Sequence, residues 1–415
     1  MGINTNIKKA GKRLLLSGFL ISLIVSSNAY AEDVVPSTKL VPEISSQTIS
    51  ADQYFNNLGD ESKNSIKKQS ELFTLTPEIE KLIQEHDSYY AGYYVDGDKI
   101  VVQVKGSLEK IKLFDNNLKP FTEKIKYEVV KNSKKEIDQV KKEIEVYLAN
   151  GKIQGLVGTG IDVKKNKAIA FVQDFSVKNQ IDSLVDTNLV EFYKLSIEDQ
   201  VKPGDSILTS QSSKCTAAFN AVINSKAVTV TAGHCANAPG GTGAWKLGST
   251  TIGNWTSRSS GNTSADAGYI TLNSQNYIEA IEKKTSIAVG RGDDYGSYDT
   301  VGTQVFISAP SATSLVSANV VFQNVNVDLG GQNGYNIITG VRITDSGVPQ
   351  SGDSGAPVLQ FRWNPDKQNY DFVVEGIHKG QAYYTDQNGQ EKVGTIYSSY
   401  AGTVNALGIS ALYTQ

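Results

Sequence analysis

The sequence predicts an all-β fold for residues 200 to 415, ending in a short C-terminal helix, and an α+β module for residues 32 to 199. The length of 415 residues exceeds the ~100 to 200 residues of one typical domain. Composition also changes near residue 200, because residues 32 to 205 hold 53 charged side chains and residues 206 to 415 hold 26. The second stretch is rich in Gly, Ser, Thr, Asn and β-branched residues, a composition typical of short strands joined by turns.

Strands in the second stretch are predicted from apolar runs bounded by turn signals. The clearest runs are Ala227 to Thr231, Gly268 to Leu272, Asn319 to Val327 and Phe372 to Ile377. The segment Tyr400 to Leu412 differs from them, because helical spacing would place Val404, Leu407 and Leu412 on one side. This segment is the predicted C-terminal helix.

The first stretch mixes helical and strand patterns. Two hairpins with tight turns are predicted, through residues 94 to 102 and residues 160 to 169. An amphipathic helix is predicted over Ile125 to Leu148, with an apolar face made of Val129, Ile137, Val140, Ile144 and Leu148. Together these patterns favour an α+β module.

The N-terminus carries the pattern of a signal peptide. A basic segment ending at Arg13 precedes the apolar run Leu14 to Val25, and Ala29-Tyr30-Ala31 is a small-x-small cleavage signal. The apolar run is shorter than the ~20 residues that span a bilayer, so residues 1 to 31 predict export and no membrane anchor. A formal net charge of -3 gives no field that would gather nucleic acid.

Two cysteines and three histidines limit the chemistry of the chain. Export favours a bridge between Cys215 and Cys235, and closing that loop would stabilise the fold by ~3 kcal/mol. His234 directly precedes Cys235 at the end of an apolar run. Two interpretations of His234 remain open at this point: a rigidly held general base, or a buried histidine beside a structural disulfide.

The segment Gly352-Asp353-Ser354-Gly355 favours the first interpretation of His234. Glycines on both sides let the backbone turn tightly and present the hydroxyl of Ser354. A serine attacks a carbonyl only if a base removes its proton, and a carboxylate must orient that base. Asp266, just before a predicted strand, is the first candidate for the carboxylate; Asp293, Asp294 and Asp299 are weaker ones.

These motifs, in the order His234, Asp266, Ser354, resemble chymotrypsin-family serine proteases. The resemblance is closest to bacterial secreted members of the alpha-lytic protease and streptogrisin type, and covers roughly residues 200 to 413. It implies two antiparallel β-barrels, a catalytic triad of these three residues, and an oxyanion hole made by the amides of Gly352 and Ser354. It also implies a monomeric secreted endopeptidase that acts on proteins or peptides without a metal or organic cofactor. Residues 32 to 199 would be a pro-region that assists folding and blocks the cleft.

Substrate preference is predicted from the segment around His378. The position at which trypsin-like members carry a carboxylate is Val348, which argues against a preference for Lys or Arg. Gly376-Ile377-His378-Lys379-Gly380 resembles the pocket segment of glutamyl endopeptidases, which nominates His378, Lys379 and Gly380 for binding an acidic side chain. The family usually has serine at the position of Lys379. Cleavage of the pro-region is predicted after Glu198 or Asp199.

Three other functions compete with a serine endopeptidase. An α/β-hydrolase esterase needs Gly-x-Ser-x-Gly, but Ala356 stands at the last glycine. A zinc protease is disfavoured because no His-Glu-x-x-His occurs. A protease-like secreted toxin or binding protein is the remaining alternative.

Overall fold

The computed structural model describes residues 50–107, 122–199, 207–278, 281, 289–293, 299–312, 314–329, 337–347 and 352–414. This part of the chain begins with three helices. The helices are α1 (Ala51–Asn57), α2 (Asp60–Leu72) and α3 (Thr76–Glu85). Ser50 caps α1 through a reciprocal pair of hydrogen bonds with Gln53, which satisfies amides at the helix start. The predicted signal peptide, residues 1 to 31, lies outside the described residues.

A three-stranded sheet follows these helices and confirms the first predicted hairpin. Its strands are β1 (Tyr90–Asp96), β2 (Lys99–Lys105) and β3 (Ile125–Val130). β1 and β2 are antiparallel, whereas β3 runs parallel to β2 with Ile125 opposite Ile100.

The predicted helix over Ile125 to Leu148 is wrong in its first part. Residues Ile125–Val130 form β3, where Val129 is 48% exposed, and α4 covers Lys134–Asn150. Ser133 starts α4 because it forms a capping box with Glu136, and Gly151 ends it in a left-handed conformation. The rest of the predicted apolar face is buried as expected, through Ile137, Val140, Ile144 and Leu148.

The second predicted hairpin is also confirmed, and α4 packs on it. Its strands are β4 (Leu156–Asp162) and β5 (Lys167–Val172), and α5 (Lys178–Asp182) then leads to β6 (Val190–Asp199). β6 runs parallel to β5. Residues 50 to 199, here called the N-terminal half, therefore have the α+β composition that the sequence predicts.

The C-terminal half, residues 207 to 414, is built mainly of strands, as predicted. Its first sheet has eight strands, which are β7 (Ile207–Thr209), β8 (Lys214–Cys215), β9 (Phe219–Ile223), β10 (Lys226–Thr231), β11 (Ala244–Leu247), β12 (Thr250–Arg258), β13 (Gly268–Leu272) and β21 (Ala411–Leu412). Their order across the sheet is β21-β9-β10-β13-β12-β11-β7-β8.

A second, ten-stranded sheet takes strands from both halves of the chain. From the C-terminal half come β14 (Arg291–Gly292), β15 (Gln304–Ile307), β16 (Val316–Asp328), β17 (Ile337–Thr344), β18 (Pro357–Asn364), β19 (Asn369–Thr385) and β20 (Glu391–Ser399). β15 pairs with both β16 and β18, which closes a circuit of six strands. The arrangement as two β-barrels stays a prediction.

Two strands of the N-terminal half pair with strands of the C-terminal half in this sheet. β4 pairs with β16, with Thr159 opposite Asn326, and β6 pairs with β19, with Asp199 opposite Gly380. A separate apolar contact lies at α1, where Tyr54 and Phe55 pack on an aromatic group made of Phe361, Tyr370 and Phe372. The two halves thus share both backbone hydrogen bonds and a buried aromatic cluster.

The C-terminal helix is shorter than predicted. α6 covers Tyr400–Leu407 and ends at Gly408, whose φ of 67° is the left-handed conformation that favours glycine. Leu412 consequently lies in strand β21, which pairs with β9, and not on the helix. Among the described residues, no helix is long and apolar enough to cross a membrane.

Candidate active site

His234 follows strand β10, which is buried from Ala227 to Thr231. β10 runs to Thr231, and the chain then enters a short 3-10 turn, Gly233–Asn237, that holds His234 below the surface. Cys235 forms a disulfide with Cys215, as expected from the predicted export. Strand and disulfide restrict the backbone on both sides of His234, so its ring has little freedom to move.

Ser354 sits in a turn that only glycine at position 355 can make. Gly352 and Gly355 have φ values of 105° and 92°. A Cβ on Gly355 would meet the carbonyl oxygen of Thr216 at 2.2 Å and Thr231 Oγ1 at 2.3 Å. Conformation and close packing therefore both require the glycine that follows Ser354.

Thr216 fastens this turn to the first sheet, a role that the sequence did not reveal. Its backbone N–H donates to the carbonyl of Ser354 at 2.7 Å, and its hydroxyl donates to the carbonyl of Gly352 at 2.9 Å. Thr216 directly follows Cys215, and His234 directly precedes Cys235. The disulfide between the two cysteines therefore links the residue that holds the Ser354 turn to the residue next to it in the site, His234.

His234, Asp266 and Ser354 form one chain of hydrogen bonds. His234 Nε2 lies 2.9 Å from Ser354 Oγ, and His234 Nδ1 lies 2.5 Å from Asp266 Oδ2. The backbone N–H of His234 also donates to Asp266 Oδ1 at 2.9 Å. With the Nδ1 proton directed at the carboxylate, Nε2 can accept the proton of the serine hydroxyl. The sequence predicted these three residues, and the structure brings them together.

The weaker aspartate candidates lie elsewhere. Asp299 accepts hydrogen bonds from Arg342 Nε at 3.1 Å and Tyr397 Oη at 3.2 Å. Asp293 belongs to the same buried group as Asp299, and Asp294 lies outside the described residues. Asp266 is thus the carboxylate that the structure places against His234.

Asp266 is fully buried, yet its surroundings favour the ionised form. Its own N–H donates to Ser398 Oγ at 2.8 Å. Burial alone would raise the pKa of Asp266, but the charges of His234 and Lys379, together with hydrogen bonds from His234, hold that pKa below its usual value. An ionised Asp266 can orient the imidazole and stabilise its protonated form.

Lys379 has a partner that the sequence did not predict. The sequence places it in the substrate pocket, but its side chain is 1% exposed and its ammonium lies 3.6 Å from Asp266 Oδ2. Its backbone carbonyl oxygen lies 3.1 Å from Ser354 Oγ. The charge of Lys379 is therefore directed at the carboxylate beside His234.

His378 and Gly380, the other predicted pocket residues, flank Lys379 on β19. The N–H of His378 donates to the carbonyl of Ala356, and its carbonyl accepts from the N–H of Gly355, so β19 supports the turn that carries Ser354. The side chain of His378 is fully buried. Burial, with the charges of His234 and Lys379, lowers the pKa of His378 to about 3, so its imidazole is neutral near pH 7.

Asp353 provides a further support that was not predicted. Its carboxylate accepts hydrogen bonds from the backbone N–H and the hydroxyl of Ser311. Burial raises the pKa of Asp353, while the hydrogen bonds from Ser311 oppose that shift. These bonds fix the residue immediately before Ser354. Spacing alone gives no signal for Ser311, because 42 positions separate the two residues.

Three buried acidic residues away from His234 lie close enough together to be compared with a metal site. Carboxylate oxygens of Asp293, Asp299 and Glu375 lie within 4.8 Å of one another. Arg342 Nη2, however, is 3.0 Å from Asp299 Oδ1, and Arg362 Nη2 is 3.7 Å from Glu375 Oε1. Burial raises the pKa of Asp299 to about 6 and that of Glu375 well above its usual value. This group fits internal ion pairs and shared protons better than a cation site.

Solved structures give the only comparisons with matches, since no protein-family model and no curated protein matches the chain. A glutamic acid-specific serine protease with a histidine triad in substrate binding is 22% identical, with a TM-score of 0.35. That match covers 51% of this chain and 99% of the other. Thermobifida fusca protease A is 17% identical and Nocardiopsis protease 18%, each with a TM-score of 0.34, covering 51% of this chain and 98% of theirs. At these TM-scores the similarities carry no weight for function.

Proposed function

We propose that this chain is the precursor of a secreted serine endopeptidase whose nucleophile is Ser354. The observation that carries the proposal is the continuous chain of hydrogen bonds from Ser354 Oγ through His234 to the buried carboxylate of Asp266. A histidine that merely stabilises a disulfide would have no need of a hydroxyl at one nitrogen and a carboxylate at the other. Rigid supports on all three residues favour a chemical role.

In the proposed mechanism, Ser354 Oγ attacks the carbonyl carbon of the scissile peptide bond. His234 Nε2 accepts the hydroxyl proton and then donates it to the departing amine, which leaves an acyl-enzyme on Ser354. A water molecule, deprotonated by His234, hydrolyses the ester and regenerates the hydroxyl. Asp266 holds the imidazole with Nε2 facing Ser354 and stabilises the imidazolium in both halves of the reaction.

The oxyanion of the tetrahedral intermediate would be bound by the backbone N–H groups of Gly352 and Ser354. Support comes from the turn itself, since Gly352 adopts a φ of 105° and Asp353 is tied to Ser311. Thr216 donates to the carbonyls of Gly352 and Ser354, and the N–H of Ala356 donates to the carbonyl of Asp353 at 2.8 Å, which fixes the peptide plane that carries the Ser354 amide. Donors held before the reaction need no reorganisation when charge develops.

Peptide substrates would bind as an added strand along β19. β6 already pairs with this strand in antiparallel register, with Asp199 opposite Gly380 and Glu198 opposite Gln381. Gly380 adjoins Lys379, whose carbonyl contacts Ser354 Oγ, so β6 ends at Asp199 close to the nucleophile. This register supports residues 32 to 199 as a pro-region that covers the cleft and is released by cleavage after Glu198 or Asp199.

N-terminal sequencing of the secreted enzyme tests the site of release. The expected mature chain begins at Asp199 or Gln200, and the Ser354→Ala precursor keeps the junction intact. A mature chain that begins beyond Cys215 would contradict the assignment, because the disulfide and Thr216 would then be lost from the active enzyme.

We also propose that His378 gives the enzyme a preference for Glu, or Asp, before the scissile bond. A neutral imidazole can donate one N–H to a substrate carboxylate, and a hydrogen bond to a charged acceptor is stronger than one to a neutral group. Release of β6 would uncover β19 from Gly380 onward, which opens the strand beside His378.

A panel of peptides that differ only in the residue before the scissile bond tests both proposals. The wild type is expected to hydrolyse the Glu peptide best and Ser354→Ala to hydrolyse none. His378→Val should reduce the preference for Glu over Leu by about 10 to 10² in kcat/KM, the effect of one hydrogen bond to a charged group. His378→Gln, which keeps a neutral donor, is the matched control and should retain part of the preference. A wild-type preference for Leu or Phe would reject the role of His378 without affecting Ser354. If the secreted protein cleaves no peptide of the panel, the result would favour the alternative function of a secreted binding protein.

A further inference from the structure

Lys379 shares one carboxylate oxygen with the imidazole of His234. Asp266 Oδ2 lies 2.5 Å from His234 Nδ1 and 3.6 Å from Lys379 Nζ, and all three side chains are buried. Bringing an ammonium out of water is costly unless a charged partner compensates for the lost hydration. A lysine buried against the carboxylate that orients His234 therefore changes the charge of this site.

We infer that Lys379 is a positioning residue that balances the charge of Asp266 and so keeps His234 available as a base at mildly acidic pH. This inference rests on the proposed serine peptidase function. Lys379 does not touch the reacting atoms with its ammonium and acts through Asp266. Its backbone contact with Ser354 would be present with any residue at position 379, so substitutions of the side chain leave that contact in place.

The charges that face His234 determine whether loss of the Lys379 charge favours or disfavours protonation of His234. Asp266 carries -1 and Lys379 carries +1, so the pair is neutral before His234 takes up a proton. His378, on the same strand as Lys379, adds no charge near pH 7, because burial lowers its pKa to about 3. Asp353, on the nucleophile turn, is engaged by Ser311 and lies in the field of Lys214.

Protonation of His234 consequently adds a positive charge beside a neutral pair. Without the ammonium of Lys379, the same proton would be added beside a lone negative charge, which stabilises the imidazolium. At a given pH, more of the enzyme would then carry a protonated His234, which cannot accept the proton of Ser354. The acidic limb of the activity profile should move to higher pH when Lys379 loses its charge.

The test is the pH dependence of kcat/KM for one peptide substrate in wild type, Lys379→Met and Lys379→Arg. Active enzyme is counted by covalent titration with a fluorophosphonate, so that losses of folded enzyme do not enter the profile. Lys379→Met is expected to move the acidic limb up by about one pH unit, as removal of a nearby unit charge would do. Lys379→Arg keeps the charge and should leave the limb near its wild-type position. An unchanged acidic limb in Lys379→Met overturns the inference.

A second measurement covers the case in which Lys379→Met yields too little enzyme. Thermal midpoints are compared in the Ser354→Ala precursor, which keeps every variant in the same uncleaved form. Lys379→Met should lower the midpoint more when Asp266 is present than in combination with Asp266→Asn, because the second substitution has already removed this ion pair. Equal effects in both backgrounds would overturn the inference. If wild-type hydrolysis persists in Ser354→Ala, the proposed function fails instead, and the coupling of thermal midpoints still decides the pairing of Lys379 with Asp266.

Discussion

Ser354→Ala is expected to lower kcat/KM for peptide hydrolysis by at least about 10⁴-fold while leaving the fold intact. The substitution removes only Oγ, and the backbone contacts of Ser354 with Thr216 remain. The same variant should accumulate as a full-length precursor, because the proposed release of the N-terminal half requires its own activity. Secreted protein can be followed by mass and by activity on the Glu peptide.

Ser260→Ala is a suitable control for this substitution, because Ser260 is an exposed serine. It should match the wild type in activity and in processing. Added wild-type enzyme should cleave the Ser354→Ala precursor in trans, which would show that the junction itself is a substrate. Autonomous processing of Ser354→Ala at the wild-type rate would contradict the proposed mechanism.

Expression of residues 200 to 415 without the N-terminal half is expected to yield almost no active enzyme. β16 and β19 would lose the backbone hydrogen bonds that β4 and β6 supply. The aromatic side chains against which Tyr54 and Phe55 pack would face water. Unpaired strand edges and exposed apolar surface both favour aggregation over folding. Yield is measured by fluorophosphonate titration of the soluble fraction.

Residues 32 to 199, supplied as a separate chain during refolding, should restore activity. A variant of that chain with Tyr54→Ala and Phe55→Ala keeps the strand pairings and loses the aromatic contact, so it should restore less. Normal yield of active enzyme from residues 200 to 415 alone would refute an assisting role for the N-terminal half.

Local pattern was enough to predict much of this fold. Both hairpins of the N-terminal half follow from alternating residues around tight turns, and the four apolar runs of the C-terminal half are strands. The helix over Ile125 to Leu148 was misplaced at its start because a β-branched run and a helical face overlap in the same window. The Ser133 capping box is the local signal that separates them.

Long-range pairing could not be predicted from the sequence in the same way. β4 with β16 and β6 with β19 join residues more than 150 positions apart, and no periodicity encodes such partners. In the candidate active site, contacts between distant residues were likewise not predictable. His234, Asp266 and Ser354 were predicted from their motifs, whereas the contacts of Thr216 with the turn and of Lys379 with Asp266 required coordinates.

The identity of the nucleophile is tested most directly by mass spectrometry of enzyme treated with a fluorophosphonate. Such reagents phosphonylate an activated serine and expel fluoride, and the adduct remains on the attacking oxygen. We expect one adduct per chain, on the peptide that contains Ser354, with no labelling in Ser354→Ala and much slower labelling in His234→Ala. An adduct on another residue, or equal labelling of Ser354→Ala, would contradict the assignment of Ser354 as the nucleophile.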